Sequence, residues 1–169
     1  LVCQRVPAAK CVLVGDGAMR PQIEAMLEAE GLRERVTLLG WRRDVASLLK
    51  AFDVFVLTSR WEGLPCAILE ARASRIPIVA TRVGGAAEAI VEGIQGTLCP
   101  VGDVRAMAGR VCQILGDERL RADLRNGPQE LPEEFTIQET VKQYQSLYTY
   151  LLHARRPAED MMKLQPNRL

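Results

Sequence analysis

Short, near-continuous apolar runs recur along this chain at 11–14, 36–39, 54–57, 78–81 and 97–99. Runs that do not alternate with polar residues predict strands of a parallel sheet covered on both faces. Stretches with helical spacing lie between them. Residues 21–30 place Ile23, Met26 and Leu27 on one face, and Gly31 ends that helix. Helices are also predicted over 65–74 and 86–92. Asp44, Asp103 and Asp117 stand where each would cap a helix, running to 51, 115 and about 125. The alternation predicts an α/β, Rossmann-like parallel sheet with helices on both faces. Segment 126–132 breaks the pattern, and Thr136 and Glu139 then have capping-box spacing. The helix they open sets Ile137, Val141, Tyr144, Tyr148 and Leu151 on one stripe, expected to pack. The end, 153–169, is polar and aperiodic and is expected to be a disordered tail, leaving 1–152 as the domain.

Parallel strands put their carboxyl-end loops along one sheet edge, where open α/β sheets bind ligands. The loops at 15–17, 40–41, 58–63, 82–85 and 101–103 are therefore expected to gather there. Composition narrows the ligand. The 169 residues are 48% hydrophobic and 25% charged, with a formal net charge of +1, which gives no argument for a nucleic-acid partner. No apolar run approaches the roughly 20 residues of a membrane span. Five cysteines, an odd count without C-x-x-C spacing, read as buried free thiols. The single histidine, His153, reads as a surface residue, so a Ser-His or Cys-His nucleophile and a zinc site are not expected.

The segment Glu62-Gly63-Leu64-Pro65-Cys66-Ala67-Ile68-Leu69-Glu70 carries the most chemistry. It follows a strand and opens a helix, so free N–H groups and the positive helix end face whatever lies above the strand tip. Gly63 lets backbone approach a phosphate closely, and Pro65 at a helix start wastes no donor. The N–H groups near 64–67 are the diphosphate candidates. The flanking carboxylates suit hydroxyls, which donate charge-assisted hydrogen bonds to them. A phosphate flanked by hydroxyl-rich sugars is the layout of a nucleotide sugar. Cys66 reads as filler rather than nucleophile, since nothing nearby would make it a thiolate. Gly15-Asp16-Gly17 is only G-x-G, because Arg20 stands where a dinucleotide fingerprint needs glycine.

Glu62, seven residues and Glu70, with 14–17, 36–41 and 80–88 around them, closely resemble the donor-binding region of retaining GT-B glycosyltransferases with the Glu-x7-Glu motif. The resemblance runs over about 10–150 and includes Gly84, Gly85 and Glu88. It implies one half of a GT-B architecture. It also implies that Glu70 binds the nucleotide ribose, and that Glu62 meets the transferred sugar at the reacting centre. Gly63, Leu64, Pro65, Cys66 and Ala67 would hold the diphosphate. Gly40, Trp41 and Arg42 fall where relatives contact the base, and Trp41 reads equally as a base cover or an ordinary half-buried aromatic. Gly15 and Gly17 border the donor cleft or form a plain turn. Gly84 and Gly85 read mainly as turn residues, and Glu88 as a cap-region or cleft carboxylate.

The resemblance further implies retention, no cofactor and no metal, with amides and cations handling the leaving diphosphate. The partners would be a nucleotide-sugar donor and an unspecified acceptor. The first strand, a Gly-Arg-Leu/Lys-Gly loop and an N-terminal acceptor domain have no counterpart here. The chain, which lacks an initiator Met, is therefore expected to be an incomplete donor-binding domain, inactive alone. Arg42, Arg43 and Arg60 are the nearby cations that could stand in for the absent loop. A cytoplasmic location is implied, with attachment to the inner membrane face through the absent domain left open. A non-catalytic nucleotide-sugar binding module needing a partner chain and a GT-B sugar-nucleotide epimerase are the alternatives.

Overall fold

The computed structural model describes residues 1–128, 130 and 132–153, and divides into two compact units, Leu1–Glu130 and Leu131–Leu169. The first unit runs α1 (Val2–Arg5), β1 (Cys11–Val14), α2 (Arg20–Ala29), β2 (Val36–Gly40), α3 (Val45–Lys50), β3 (Phe55–Leu57), α4 (Cys66–Ala73), β4 (Ile78–Thr81), α5 (Gly84–Ala89), β5 (Gly96–Cys99), α6 (Val104–Gly116) and α7 (Glu118–Asn126). The second holds a 3-10 turn (Glu133–Phe135) and α8 (Ile137–His153).

Every ladder is parallel. β4 pairs with β3 and β5, with Ile78 opposite Phe55 and Gly96, while β1 pairs with β2 in a separate sheet. All four residues of β4 are buried, because it has a strand on each side and helices on both faces. Successive side chains of a strand point to opposite faces. Ile78 and Ala80 accordingly join Ile68, Ala71 and Ala86 of α4 and α5 in one core cluster. Val79 joins Met107, Val111 and Ile114 of α6 and Leu124 of α7 in the other. A side chain as fully buried as Ile78 contributes about 1.5–3 kcal/mol.

The apolar runs of β1 and β3 are less covered than their sequences predict. Leu13, Val14 and Val56 are about two-fifths exposed. Each strand ends its sheet, so one edge of each has no neighbour.

Three local expectations are corrected. Met26 is 65% exposed, because α2 buries only Leu27. Asp44 stands at the start of α3 but does not cap it, because Arg42 takes both carboxylate oxygens. Cys11 and Cys66 are exposed rather than buried, although all five thiols are free. Asp103 and Asp117 do cap, accepting from the amides of Ala106 and Leu120 at 2.8 and 2.9 Å.

In the second unit half of the expected capping box forms. Thr136 Oγ1 accepts from the Glu139 amide at 3.2 Å, while the Glu139 carboxylate turns to Lys142 and Gln143. The stripe on α8 is exposed rather than packed, from 46% at Val141 to 67% at Ile137. Burying a helix stripe takes a second layer, and among the described residues of this unit the only other element is the 3-10 turn. The expected tail lies outside the described residues beyond His153, as does the His153 side chain.

Candidate functional site

Glu62 is placed by a relay that starts in the core. Thr81, the buried last residue of β4, donates from Oγ1 to the Ser59 carbonyl at 2.5 Å. Ser59 Oγ then donates to Glu62 Oε1 at 2.7 Å. The strand therefore fixes the loop, and the loop fixes the carboxylate. Glu62 is half-buried, and its other oxygen has no hydrogen-bond donor among the described residues.

The same loop rests on α5. The Gly85 amide donates to the Gly63 carbonyl at 2.7 Å. A Cβ on Gly84 would stand 2.4 Å from the Glu62 carbonyl oxygen, and one on Gly85 would stand 2.2 Å from that of Gly63. Only glycine permits backbone to approach backbone so closely. Gly84 and Gly85 are thus contact residues as well as turn residues, and exposed Glu88 lies further along α5.

α4 starts from Pro65, which is buried at the N-cap position rather than inside the first turn. Pro65 has no side-chain hydrogen bond to give, so the first amides of α4, from Cys66 and Ala67, carry no side-chain cap. Gly63, Leu64 and Cys66 are exposed around that end. Uncapped amides at a helix start bind anions. Glu70 is the fifth residue of α4, exposed and without a side-chain partner among the described residues. One helix therefore presents free amides at its start and a free carboxylate a turn later, and the anchored Glu62 lies in the loop that leads into it.

The remaining predicted residues form a second group at the ends of β1 and β2. The Gly15 amide donates to the Gly40 carbonyl at 2.8 Å, and Gly17 donates to Asp16 Oδ1 at 2.8 Å. Arg20 ties this loop to α2 through Asp16 and Glu24, at 3.1 and 3.0 Å. A cavity of about 340 Å³ opens here, lined by Leu13, Gly15, Gly17, Ile23 and Leu38 among others. Trp41 is 68% exposed rather than half-buried, with the Arg43 guanidinium 5.1 Å from its ring centroid. Arg42 is engaged at 2.8 and 2.6 Å by Asp44, and these hydrogen bonds hold the Asp44 carboxyl below the usual carboxylate range. Of the three cations expected to stand in for the absent loop, Arg42 is thus paired and Arg43 is stacked, while Arg60 is exposed. The two groups of loops sit on separate sheets, not on the single edge expected.

Sequence reasoning missed Ser59 and Thr81 as supports of Glu62, and Arg72 as the residue that ties α4 to the end of α5. The Ser-x-x-Glu spacing was the legible signal for Ser59, whereas nothing in the sequence marks Arg72 as buried. Among the described residues no group of three or more His, Cys, Asp or Glu could hold a metal ion, and no helix is long and apolar enough to cross a membrane.

Residues 1–117 match the family model described as glycosyl transferases group 1. This chain belongs to that family. Its fold is that of the C-terminal domain of GT-B glycosyltransferases. It is 37% identical over 141 residues to an N-acetyl-alpha-D-glucosaminyl L-malate synthase of Bacillus anthracis, covering 83% of this chain and 37% of the relative. A TarM variant of S. aureus, solved with fondaparinux, alpha-GlcNAc-glycerol and UDP, superposes with a TM-score of 0.81 at 25% identity, over 87% of this chain and 30% of that one. HepE of Anabaena, solved with UDP-glucose, gives 0.75 at 25% identity, over 88% and 44%. The chain thus spans less than half the length of these relatives.

Proposed function

We propose that this chain supplies the donor-binding half of a retaining, metal-independent glycosyltransferase that uses a nucleoside-diphosphate sugar, with UDP as the nucleotide. The observation that carries the reading is α4, which offers uncapped amides at Cys66 and Ala67 and a free Glu70 carboxylate and is entered from the loop that holds the anchored Glu62. The UDP and UDP-glucose complexes of the structural relatives favour the choice of nucleotide.

The roles follow from the chemistry. Glu70 accepts hydrogen bonds from the ribose diol. The amides near Leu64, Pro65, Cys66 and Ala67 receive the diphosphate, with Pro65 contributing its shape because it has no N–H. Gly63 keeps the approach to the phosphates open. Glu62 has one oxygen held by Ser59 and one left for the transferred sugar, where it orients hydroxyls and stabilises oxocarbenium-like positive charge. Gly15, Gly17, Gly40 and Trp41 border the nucleotide. Arg42 acts there through backbone, since its guanidinium belongs to Asp44. The acceptor and its binding domain belong to the rest of the protein, and the chain alone binds donor without transferring sugar.

Calorimetry with UDP on wild type and Glu70→Ala tests the nucleotide role. Proton NMR of the anomeric centre in the product of the complete protein tests retention. Unchanged UDP affinity in Glu70→Ala sinks the first, and an inverted anomer sinks the second.

A further inference from the structure

Arg72 is 3% exposed, although it lies in α4, two residues beyond exposed Glu70. Among the described residues no carboxylate pairs with it. Its Nη1 donates to the Ala89 carbonyl at 2.7 Å and its Nη2 to the Glu130 carbonyl at 2.7 Å. Nε is buried without a partner. A buried, unpaired cation is costly, and filling space here would not require one. Ala89 is the last residue of α5, where carbonyls lack partners within the helix. The first residues of that helix, Gly84 and Gly85, rest on the backbone of Glu62 and Gly63.

These contacts close a circuit. From Gly63 the chain runs through Pro65 into α4 and reaches Arg72. Arg72 grips the far end of α5, and the near end of α5 returns to Gly63. We propose that Arg72 is a positioning residue for the donor cradle, clamping α5 so that its glycine end stays seated under the Glu62–Gly63 loop. Glu70 lies within the segment that this circuit encloses and Glu62 borders it, its carbonyl against Gly84, so closure of the circuit bears on how the two carboxylates are held. The claim rests on the nucleotide reading above only for its effect on binding, since the clamp itself is a property of the free protein.

The test compares Arg72→Met with Arg125→Met. Arg125 also gives a guanidinium hydrogen bond to a backbone carbonyl, from Nη2 to Phe52 at 2.9 Å, but does not touch α5. Amide hydrogen exchange at Gly85 reads the clamp without any ligand, with the amide of Ala80 in β4 as internal reference. UDP affinity by calorimetry, at a temperature where each variant is folded, reads the cradle. Arg72→Met is expected to speed Gly85 exchange about tenfold relative to Ala80 and to weaken UDP about tenfold, roughly one lost charged hydrogen bond. Arg125→Met is expected to change neither by more than about twofold. Arg72→Lys, which keeps one donor, should recover part of both effects, and it replaces Arg72→Met if that variant does not fold.

Unchanged Gly85 exchange in a folded Arg72 variant overturns the clamp. So does an equal effect of Arg125→Met. Faster exchange with unchanged UDP affinity, in a protein where Glu70→Ala does weaken UDP, overturns the positioning role. If Glu70→Ala leaves UDP affinity unchanged, the nucleotide reading fails, and Gly85 exchange still decides the clamp.

Discussion

At Glu62 one carboxylate oxygen is held by Ser59 at 2.7 Å, and on the proposed function the other meets the transferred sugar. Ser59→Ala should therefore lower turnover of the complete protein more than it weakens UDP binding, because it frees a group that meets the sugar rather than the nucleotide. Steady-state kinetics beside UDP calorimetry separates the two, and a loss confined to UDP affinity would contradict the assignment. Glu70 has the opposite profile. It is exposed and unpartnered, so Glu70→Ala should leave stability nearly unchanged while costing nucleotide binding about 1.5–3 kcal/mol. The roles of both glutamates come from the family resemblance of the Glu62–Glu70 segment, and these two variants test them. Thr81 was not legible as a support, since its partner Ser59 is brought near only by the pairing of β3 with β4.

Among the elements, α5 is the most constrained. Gly85→Ala would put a methyl 2.2 Å from the Gly63 carbonyl oxygen, so α5 or the loop must shift. Such overpacking costs about 1–3 kcal/mol, and thermal denaturation of this variant should show it together with weaker UDP binding. A Gly85→Ala variant as stable as wild type would mean that the contact between α5 and the loop yields freely. α3 gives a pH-dependent case. The hydrogen bonds from Arg42 depress the folded carboxyl pKa of Asp44. The contribution of that pair is present above the ordinary carboxylate value and is lost as pH falls through the lower folded value. An NMR titration should place Asp44 below its usual range in wild type and return it toward that range in Arg42→Ala. The helix starts at Asp103 and Asp117 were readable from sequence because capping is local. Asp44 has the same residue type, but Arg42 competes for it.

For the whole molecule, the decisive variable is how much of the catalytic apparatus one chain carries. The chain covers 37% of the Bacillus anthracis relative's length, and positioning an acceptor can supply several kcal/mol of rate acceleration, about 7–11 in favourable cases. The purified 169-residue chain should therefore bind UDP yet show no sugar transfer across a panel of donors and acceptors, with Glu62→Ala as blank. Turnover near 1 per second or faster, abolished by that substitution, would show the chain to be self-sufficient. On the proposed function UDP affinity should survive EDTA, because amides rather than a metal would receive the diphosphate; restoration by magnesium or manganese of affinity lost in EDTA would contradict this.

By itself the sequence determined the strand–helix alternation, the parallel pairing and the Asp103 and Asp117 caps. All of these follow from local patterns of apolar residues and side-chain chemistry. The tertiary structure decided the rest. It divided the strands between two sheets, because ladder partners are set by the whole chain. It left the apolar stripe of α8 exposed, because periodicity states which face is apolar and not whether a second layer exists to cover it. It also buried Arg72, a charge that the sequence places in a helix and only packing turns inward, where the Ala89 and Glu130 carbonyls meet it.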